Sequence, residues 1–234
     1  MIVEIGHYAL VLALALSLVT GVAPLIGALR RDGALMDVAR PAAFAQFLLV
    51  AGSFAALTWA HIASDFSVIN VIENSHSMKP MIYKVSGVWG NHEGSMLLWV
   101  LILAVFGGAV AVWPRFMPRD LRALVIAAQS WIAVAFLSFI LLTSNPFARA
   151  AMPPIEGNDL NPILQDPGLA IHPPLLYIGY VGFSIAFSFA AAALISGRID
   201  AAWARFVRPW ILIAWIFLTL GIAMGSYWAY YTLG

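Results

Sequence analysis

His172 stands in an unusual local sequence, Ile171-His172-Pro173-Pro174, where a polar segment gives way to an apolar one. A residue before proline avoids the α region, and proline suits the first turn of a helix, where its missing N–H costs no hydrogen bond. We therefore predict that Pro173 and Pro174 begin a helix and hold His172 extended just before it. An imidazole held in this way suits metal ligation. The alternative is a helix-start histidine bonded to a nearby carbonyl.

A second group of candidate residues lies in the segment 89–95, Trp-Gly-Asn-His-Glu-Gly-Ser. The glycines that bracket Asn-His-Glu predict a turn with positive φ or the close approach of another group. If a helix begins near Asn91, Glu93 lies in its first turn, where a carboxylate is favoured. His92 is then a candidate ligand, a proton carrier or a partner for Glu93; the alternative is a capped helix start with a hydrogen-bonded pair and no chemistry. Trp89 is a candidate aromatic platform or an ordinary interfacial tryptophan.

The elements that must position these residues are membrane-spanning helices. The chain is 62% hydrophobic and 10% charged, far from the composition of a soluble domain. Six apolar segments are each long enough to cross a hydrocarbon core of about 30 Å, and in lipid such segments must be helical. They cover residues 6–29, 41–63, 92–113, 121–143, 173–195 and 209–231. The sequence therefore predicts an all-α polytopic membrane protein embedded in the lipid bilayer.

The distribution of basic residues predicts the orientation. Nine of the twelve lysines and arginines fall in the first, third and fifth loops: Arg30, Arg31, Arg40, Arg115, Arg119, Arg122, Arg198, Arg205 and Arg208. The positive-inside rule assigns these loops to the cytoplasm, so both termini and the two loops of nearly thirty residues face outward. Because the charges are spread over three turns and the net charge is only +1, nothing indicates a nucleic-acid partner.

This orientation places all five histidines on the outer side: His7, His61, His76, His92 and His172. No ionisable residue is expected at mid-membrane depth, where a transport or proton pathway requires one. The sequence therefore favours chemistry at the outer surface. The two long outer loops contain apolar residues and prolines, which predicts that they pack as a lid. The outer cations Lys79, Lys84 and Arg149 either meet an anionic ligand or simply position the chain. The chain contains no cysteine, which excludes covalent heme attachment through Cys-x-x-Cys-His.

Three segments resemble one known family. Residues 83–99 read Tyr-Lys-Val-Ser-Gly-Val-Trp-Gly-Asn-His-Glu-Gly-Ser-Met-Leu-Leu-Trp, and this run resembles the N-terminal region of the CcmF heme lyases of bacterial cytochrome c maturation. Residues 158–180 and the ending 225–231, Gly-Ser-Tyr-Trp-Ala-Tyr-Tyr, are similar to the same family. The resemblance extends over the whole chain, and it leaves open a relative that serves nitrite-reductase maturation.

The resemblance implies a function. Such lyases take heme from a membrane-tethered heme chaperone and direct it onto the Cys-x-x-Cys-His motif of apocytochrome c, which thiol-handling proteins deliver. In the family, two external histidines flanking a tryptophan-rich loop ligate this heme, and two membrane-embedded histidines hold a heme b. His172 matches the first external histidine, with Pro173 and Pro174 as its frame, so it is expected to be an axial ligand of the heme iron. Trp89, His92 and Glu93 are expected to adjoin the heme.

The resemblance also implies what this chain does not contribute. The tryptophan-rich segment, the second external histidine and both heme b histidines correspond to positions after Gly234, and Thr232 stands where the family commonly has an acid. We therefore expect residues 1–234 to be a single N-terminal transmembrane domain of a lyase in the bacterial inner membrane. It is expected to act with a C-terminal half or a split partner subunit, rather than as a complete catalyst. The alternatives are a transporter of heme or another solute and a non-catalytic assembly subunit.

Overall fold

The computed structural model describes residues 1–112 and 117–233, and nearly all of them are helical. The α-helices are α1 (Ile2–Arg30), α2 (Gly33–Asp37), α3 (Ala39–Ile62), α4 (Ile69–Asn74), α5 (Met81–Ser86), α6 (His92–Val112), α7 (Arg119–Thr143), α8 (Pro167–Ser196) and α9 (Ala201–Leu233), with a 3-10 turn at Pro162–Leu164. The α1, α6, α7, α8 and α9 helices and the α2–α3 segment are each long and apolar enough to span a membrane. The all-α polytopic prediction is therefore confirmed.

Two spanning helices begin well before their predicted starts, α8 by six residues and α9 by eight. The sequence placed helix starts at Pro173 and Pro209, but α8 begins at Pro167 and α9 at Ala201, so these prolines lie inside helices. The prediction that His172 is extended before a helix is wrong for the same reason. Helix interiors in membranes tolerate proline where neighbouring groups satisfy the freed carbonyls. The predicted end of the third span at Trp113 and the loop residue Arg115 lie outside the described residues.

Packing places α6 and α8 at the centre of the bundle. The α1 helix lies between α3 and α7, α6 packs on α3, α7 and α8, and α8 packs on both α7 and α9. The core at these contacts is apolar and includes Leu57, Leu103, Ile126 and Phe189, all of which are fully buried. The outer side of α9 stays open, since α9 packs mainly on α8.

The α8 and α9 helices approach closely because glycines line their interface. A methyl group added at Gly179 would lie 2.2 Å from the backbone nitrogen of Leu218, and one at Gly221 would lie 2.6 Å from the Cα of Leu176. Both positions therefore require glycine, and small residues are common where membrane helices pack closely. This contact sets the distance between the helix that carries His172 and its neighbour.

The two long loops pack against each other, as the sequence predicts. The backbone N–H of Ile69 donates to the carbonyl of Ala148 at 2.9 Å, and that of Asn158 donates to the carbonyl of Ile72 at 2.7 Å. A single bridge joins Val68 to Arg149. These bonds tie residues 63–91 to residues 144–166 as one cap over the bundle end that carries the histidines, which we call the histidine end.

Candidate functional site

His172 has one ring nitrogen bound and the other free for a ligand. Its Nδ1 lies 2.9 Å from the carbonyl oxygen of Gly221 on α9. A carbonyl only accepts, so Nδ1 carries the proton and Nε2 carries the lone pair. Nε2 has no hydrogen-bond partner among the described residues and is not buried. The backbone carbonyl thus sets the tautomer and the ring orientation that a metal-ligating histidine needs.

The His172 ring rests on the glycine surface of α9 beside a tryptophan. A methyl group added at Gly225 would lie 2.5 Å from Cε1 of His172, so only glycine leaves room for the ring. The Trp228 indole lies 5.9 Å from the imidazole, centroid to centroid, and packs on Gly168. The indole N–H of Trp228 is buried without a hydrogen-bond partner among the described residues. The site therefore presents one open imidazole nitrogen and one unused donor.

The start of α8 is fixed by its own cap and by the end of α9. Asp166 precedes Pro167, and its side chain accepts a hydrogen bond from the backbone N–H of Gly168 at 2.6 Å. The hydroxyl of Tyr231 donates to the same carboxylate. A proline at the first helical position is favoured, so Asp166-Pro167 is the helix start that the sequence analysis missed. Since the Asp166 carboxylate ties the start of α8 to the end of α9, it holds His172 against its carbonyl partner.

Trp89 compensates for one of the prolines that follow His172. Pro173 has no N–H, so the carbonyl four residues earlier, that of Leu169, loses its helical partner. The indole N–H of Trp89 donates to this carbonyl at 2.9 Å. The Trp89 ring also stacks on Phe54, with 17° between the ring planes. Trp89 therefore supports the helix that carries His172, a role that the sequence analysis did not anticipate.

His92 and Glu93 do not pair with each other. His92 is exposed, and its Nε2 lies 3.1 Å from the hydroxyl of Ser144. Glu93 instead accepts a hydrogen bond from the amide of Asn70 at 3.2 Å. Asn91 caps α6, because its side-chain oxygen accepts from the backbone N–H of Gly94 at 2.9 Å. The start of the helix is therefore capped as predicted, but the His92–Glu93 pair that the prediction included is absent. The structure also separates His92, which faces α7, from His172, which faces α9.

The bracketing glycines act by close approach and not by positive φ. A methyl group at Gly94 would lie 1.7 Å from the carbonyl oxygen of Val88, and one at Gly90 would lie 3.1 Å from Leu169. Among the described residues, the only glycine with positive φ is Gly197, which ends α8. The segment 89–95 thus folds tightly against the start of α8.

A buried amide network that sequence reasoning missed joins this segment to α3. His61 is fully buried, and its Nε2 lies 2.9 Å from the side-chain oxygen of Asn70. The Asn70 amide donates to Asn91 at 2.7 Å. A lone histidine near a helix end and an asparagine in a loop gave no signal in the sequence, because only the fold brings them together. The network fixes the cap beside α6.

The three outer cations serve the cap. Lys79 donates to the carbonyl of Asn74 at 2.7 Å and lies 3.5 Å from Asp159, and burial lowers the pKa of its ammonium group. Lys84 is also buried and donates to the hydroxyl of Ser64 at 2.8 Å. The third cation, Arg149, forms ion pairs with Glu4 and Asp65. Of the two roles that the sequence left open, these contacts support positioning of the chain.

The donor set around His172 fits one axial position of a heme iron and no more. Neutral imidazole with a carbonyl-bonded second nitrogen is a common heme and metal ligand. The other four histidines bond elsewhere at the histidine end: His7 near Asn145, His61 to Asn70, His76 near Glu156 and His92 to Ser144. A second axial ligand therefore has to come from outside the described contacts of His172.

Comparison with known proteins confirms the resemblance. The sequence profile of the family described as "Cytochrome C assembly protein" matches residues 89–234. The cytochrome c-type biogenesis protein CycK of Bradyrhizobium diazoefficiens is 71% identical over 100% of this chain, and CcmF of Escherichia coli is 53% identical over 100% of it. A solved structure, "Cytochrome c Heme Lyase CcmF", matches with a TM-score of 0.86 and 31% identity over 98% of this chain.

The chain spans about a third of these relatives. It covers 36% of the length of CycK, of the Escherichia coli CcmF and of the solved lyase chain. The family match includes both histidine-bearing motifs, 89–95 and 158–180, and the structural match extends over nearly the whole bundle. This chain is a multi-pass membrane protein that belongs to the cytochrome c assembly protein family.

Proposed function

We propose that residues 1–234 form a single N-terminal transmembrane domain of a cytochrome c heme lyase, in which Nε2 of His172 binds the iron of the heme under transfer. The observation that carries this proposal is the hydrogen bond from Nδ1 of His172 to the carbonyl of Gly221. It leaves Nε2 unprotonated and fixed in direction, which is the state that iron requires. Trp228 lies beside the ring and provides an aromatic wall.

In this proposal heme is the substrate, and the chain orients it. Heme supplies the vinyl groups to which the cysteine thiols of apocytochrome c become joined. His172 holds the iron, and the cap over the histidine end limits the directions from which the heme and the apocytochrome approach. His92 is exposed at the same end and is a further contact candidate for these partners. Glu93 accepts a hydrogen bond from Asn70, so we assign it a role in positioning the cap.

The partners are those that the family resemblance implies, together with a source for the second axial ligand. A heme chaperone delivers the heme, thiol-handling proteins deliver the apocytochrome, and a further segment or a partner subunit supplies the second axial ligand. We propose that the histidine end faces the periplasm across the bacterial inner membrane. Single cysteines at Ile155 and Ile199, which are exposed at opposite ends, test this orientation: only the first should react with an impermeant thiol reagent in intact cells.

The transporter alternative has less support in the structure. Gln129 is the polar side chain in the middle of α7, and its amide donates to the hydroxyl of Ser184 at 2.9 Å and accepts from Ser188 at 2.8 Å. The cavity beside it measures only about 10 Å³, about the volume that one water needs. Gln129, Ser184 and Ser188 thus pair with each other and do not line an open path. A non-catalytic assembly subunit would use the same His172 site.

The test of the proposed function is cytochrome c maturation in cells that depend on this protein. His172→Ala should abolish maturation while the protein remains inserted at normal levels. His76→Ala is the matched control, because His76 lies in the exposed part of the cap and contacts Glu156 only loosely, at 3.9 Å. Normal maturation with His172→Ala would refute the ligand role.

A further inference from the structure

A cavity of about 590 Å³ opens at the end of the bundle opposite the histidines. Its charged lining comes from Arg31 after α1, Arg119 and Asp120 at the start of α7, and Arg198 after α8. The volume lies within the range of about 300–1,000 Å³ that is usual for small-molecule sites. Neither the heme-lyase proposal nor the histidine end uses this cavity.

The arginines of the cavity are only partly neutralised. Arg198 pairs with Asp120 at 2.9 Å, whereas Arg119 lies 3.9 Å from Asp37, at the edge of an ion-pair distance. The guanidinium group of Arg31 has no ion-pair or hydrogen-bond partner among residues 1–112 and 117–233. Three arginines and one aspartate therefore leave a net positive charge in the lining, which suits an anion.

The backbone holds Arg31 at the mouth of this cavity. Arg31 adopts the left-handed conformation with φ of 57°, and its N–H donates to the carbonyl of Gly27, which ends α1. The next residue, Asp32, caps α2 by accepting from the backbone N–H groups of Ala34 and Leu35. A non-glycine residue adopts positive φ only where its surroundings hold it there. The end of α1 and the capped start of α2 therefore fix the backbone of Arg31 at the cavity.

The remaining lining is apolar and lies where three spanning helices end. Leu29 belongs to the last turn of α1, Leu124 to the second turn of α7, and Ile195 to the last turn of α8. A ligand here meets cations at the helix ends and hydrocarbon towards the bilayer. A phospholipid has this polarity, with a phosphate next to acyl chains, whereas a free phosphate gains nothing from the apolar wall.

We propose that this cavity binds the headgroup of an anionic phospholipid, with Arg31, Arg119 and Arg198 around the phosphate. Guanidinium groups match phosphate oxygens in geometry as well as in charge. Basic pockets between spanning helices are known to select anionic lipids, each cation near the surface contributing on the order of a fivefold gain in affinity. The site is thus a lipid site built from the ends of α1, α7 and α8.

The test is a lipid titration of the purified protein in detergent, followed by native mass spectrometry. Dioleoyl phosphatidylglycerol, dioleoyl phosphatidylcholine and glycerol phosphate are the three probes. The double variant Arg31→Gln and Arg198→Gln should weaken binding of the phosphatidylglycerol by about 10- to 30-fold. The matched control is Arg205→Gln with Arg208→Gln, which removes the same charge from exposed positions of α9 that do not line the cavity.

Each outcome of this titration either supports the lipid site or overturns it. Selective loss of phosphatidylglycerol binding in the cavity variant, with the control like the unmodified protein, supports the site. Equal weakening in both variants would show a general charge effect and overturn it, as would equal binding of phosphatidylcholine. If glycerol phosphate competes with the lipid at similar concentrations, the cavity reads phosphate alone and the lipid assignment is wrong. Unchanged helical circular dichroism in both variants establishes that the comparison is between folded proteins.

Discussion

Replacing Gly225 by alanine adds one methyl group directly against the imidazole of His172. The added carbon would lie 2.5 Å from Cε1 and 2.8 Å from Nδ1. Ordinary van der Waals contact begins at 3.4 Å, so the ring must retreat by about 0.9 Å. The fold should survive this change, because the ring is the movable end of a side chain and alanine favours the helix by about 1 kcal/mol over glycine.

The displaced ring loses its orientation as well as its position. Gly221, whose carbonyl accepts from Nδ1 of His172 at 2.9 Å, lies on the same helix as Gly225. A ring pushed away from α9 by about 0.9 Å therefore moves out of hydrogen-bond range, which ends near 3.2 Å. A misplacement of about 1 Å in a reacting group costs on the order of 100-fold in rate. We expect Gly225→Ala to lower cytochrome c maturation by roughly 10- to 100-fold.

The assay is heme staining of mature cytochrome c in cells that depend on the variant, with the membrane level of the variant measured in parallel. Gly52→Ala is the matched control, since an added methyl group there meets nothing within 4 Å. It should mature cytochromes at the normal level. Normal maturation with Gly225→Ala, at a normal protein level, would refute the claim that the α9 surface sets the position of His172.

Three further predictions concern the supporting structure. Trp89→Phe removes the N–H that donates to the Leu169 carbonyl, and it should lower the free energy of unfolding by about 1–3 kcal/mol, measured by thermal unfolding in detergent. The loss should be smaller in a Pro173→Ala background, where a helical N–H again donates to that carbonyl. His61→Ala leaves a cavity and an unpaired Asn70 amide, so we expect the free energy of unfolding to fall by about 2 kcal/mol or more in the same measurement. An unchanged melting temperature would contradict the buried network. Hydrogen bonds from Ser77 lower the pKa of Glu156 below its unfolded value of about 4.3. The contact should therefore contribute fully above that pH and be lost as the pH falls through the lower pKa of the folded state. Amide exchange at Ser77 that is already unprotected at pH 6 would contradict it.

The spanning helices could be predicted from the sequence because the bilayer imposes their length and polarity. The starts of the helices were harder to predict, because a proline can either begin a helix or lie inside one. Pro173 and Pro209 were interpreted as first-turn residues, but both lie inside helices, and for Pro173 a tryptophan 84 positions away in the chain supplies the missing donor. No local pattern reveals such a donor, because it depends on how the segment before α6 packs against α8.

The candidate site could be predicted in part. His172 was identified from its proline frame and its family resemblance, whereas Gly225 and Trp228 acquire a role only through the packing of α9 on α8. His61 lies outside both motifs, so the sequence assigned it no role beyond its outer position, whereas its complete burial gives it a structural one. Burial of a polar side chain near a helix end depends on the loop that covers it, which the sequence alone does not place.

The central claim is that Nε2 of His172 is an axial ligand of the heme iron. The most direct measurement is the absorption and resonance Raman spectrum of heme captured by the full assembly carrying His172→Gly, recorded with and without added imidazole. We predict that the variant loses the spectrum of heme with two axial ligands and that imidazole restores both this spectrum and part of the maturation activity, since the free ring fills the vacated position beside Gly225. A spectrum identical to that of the unmodified assembly in the absence of imidazole would contradict the claim.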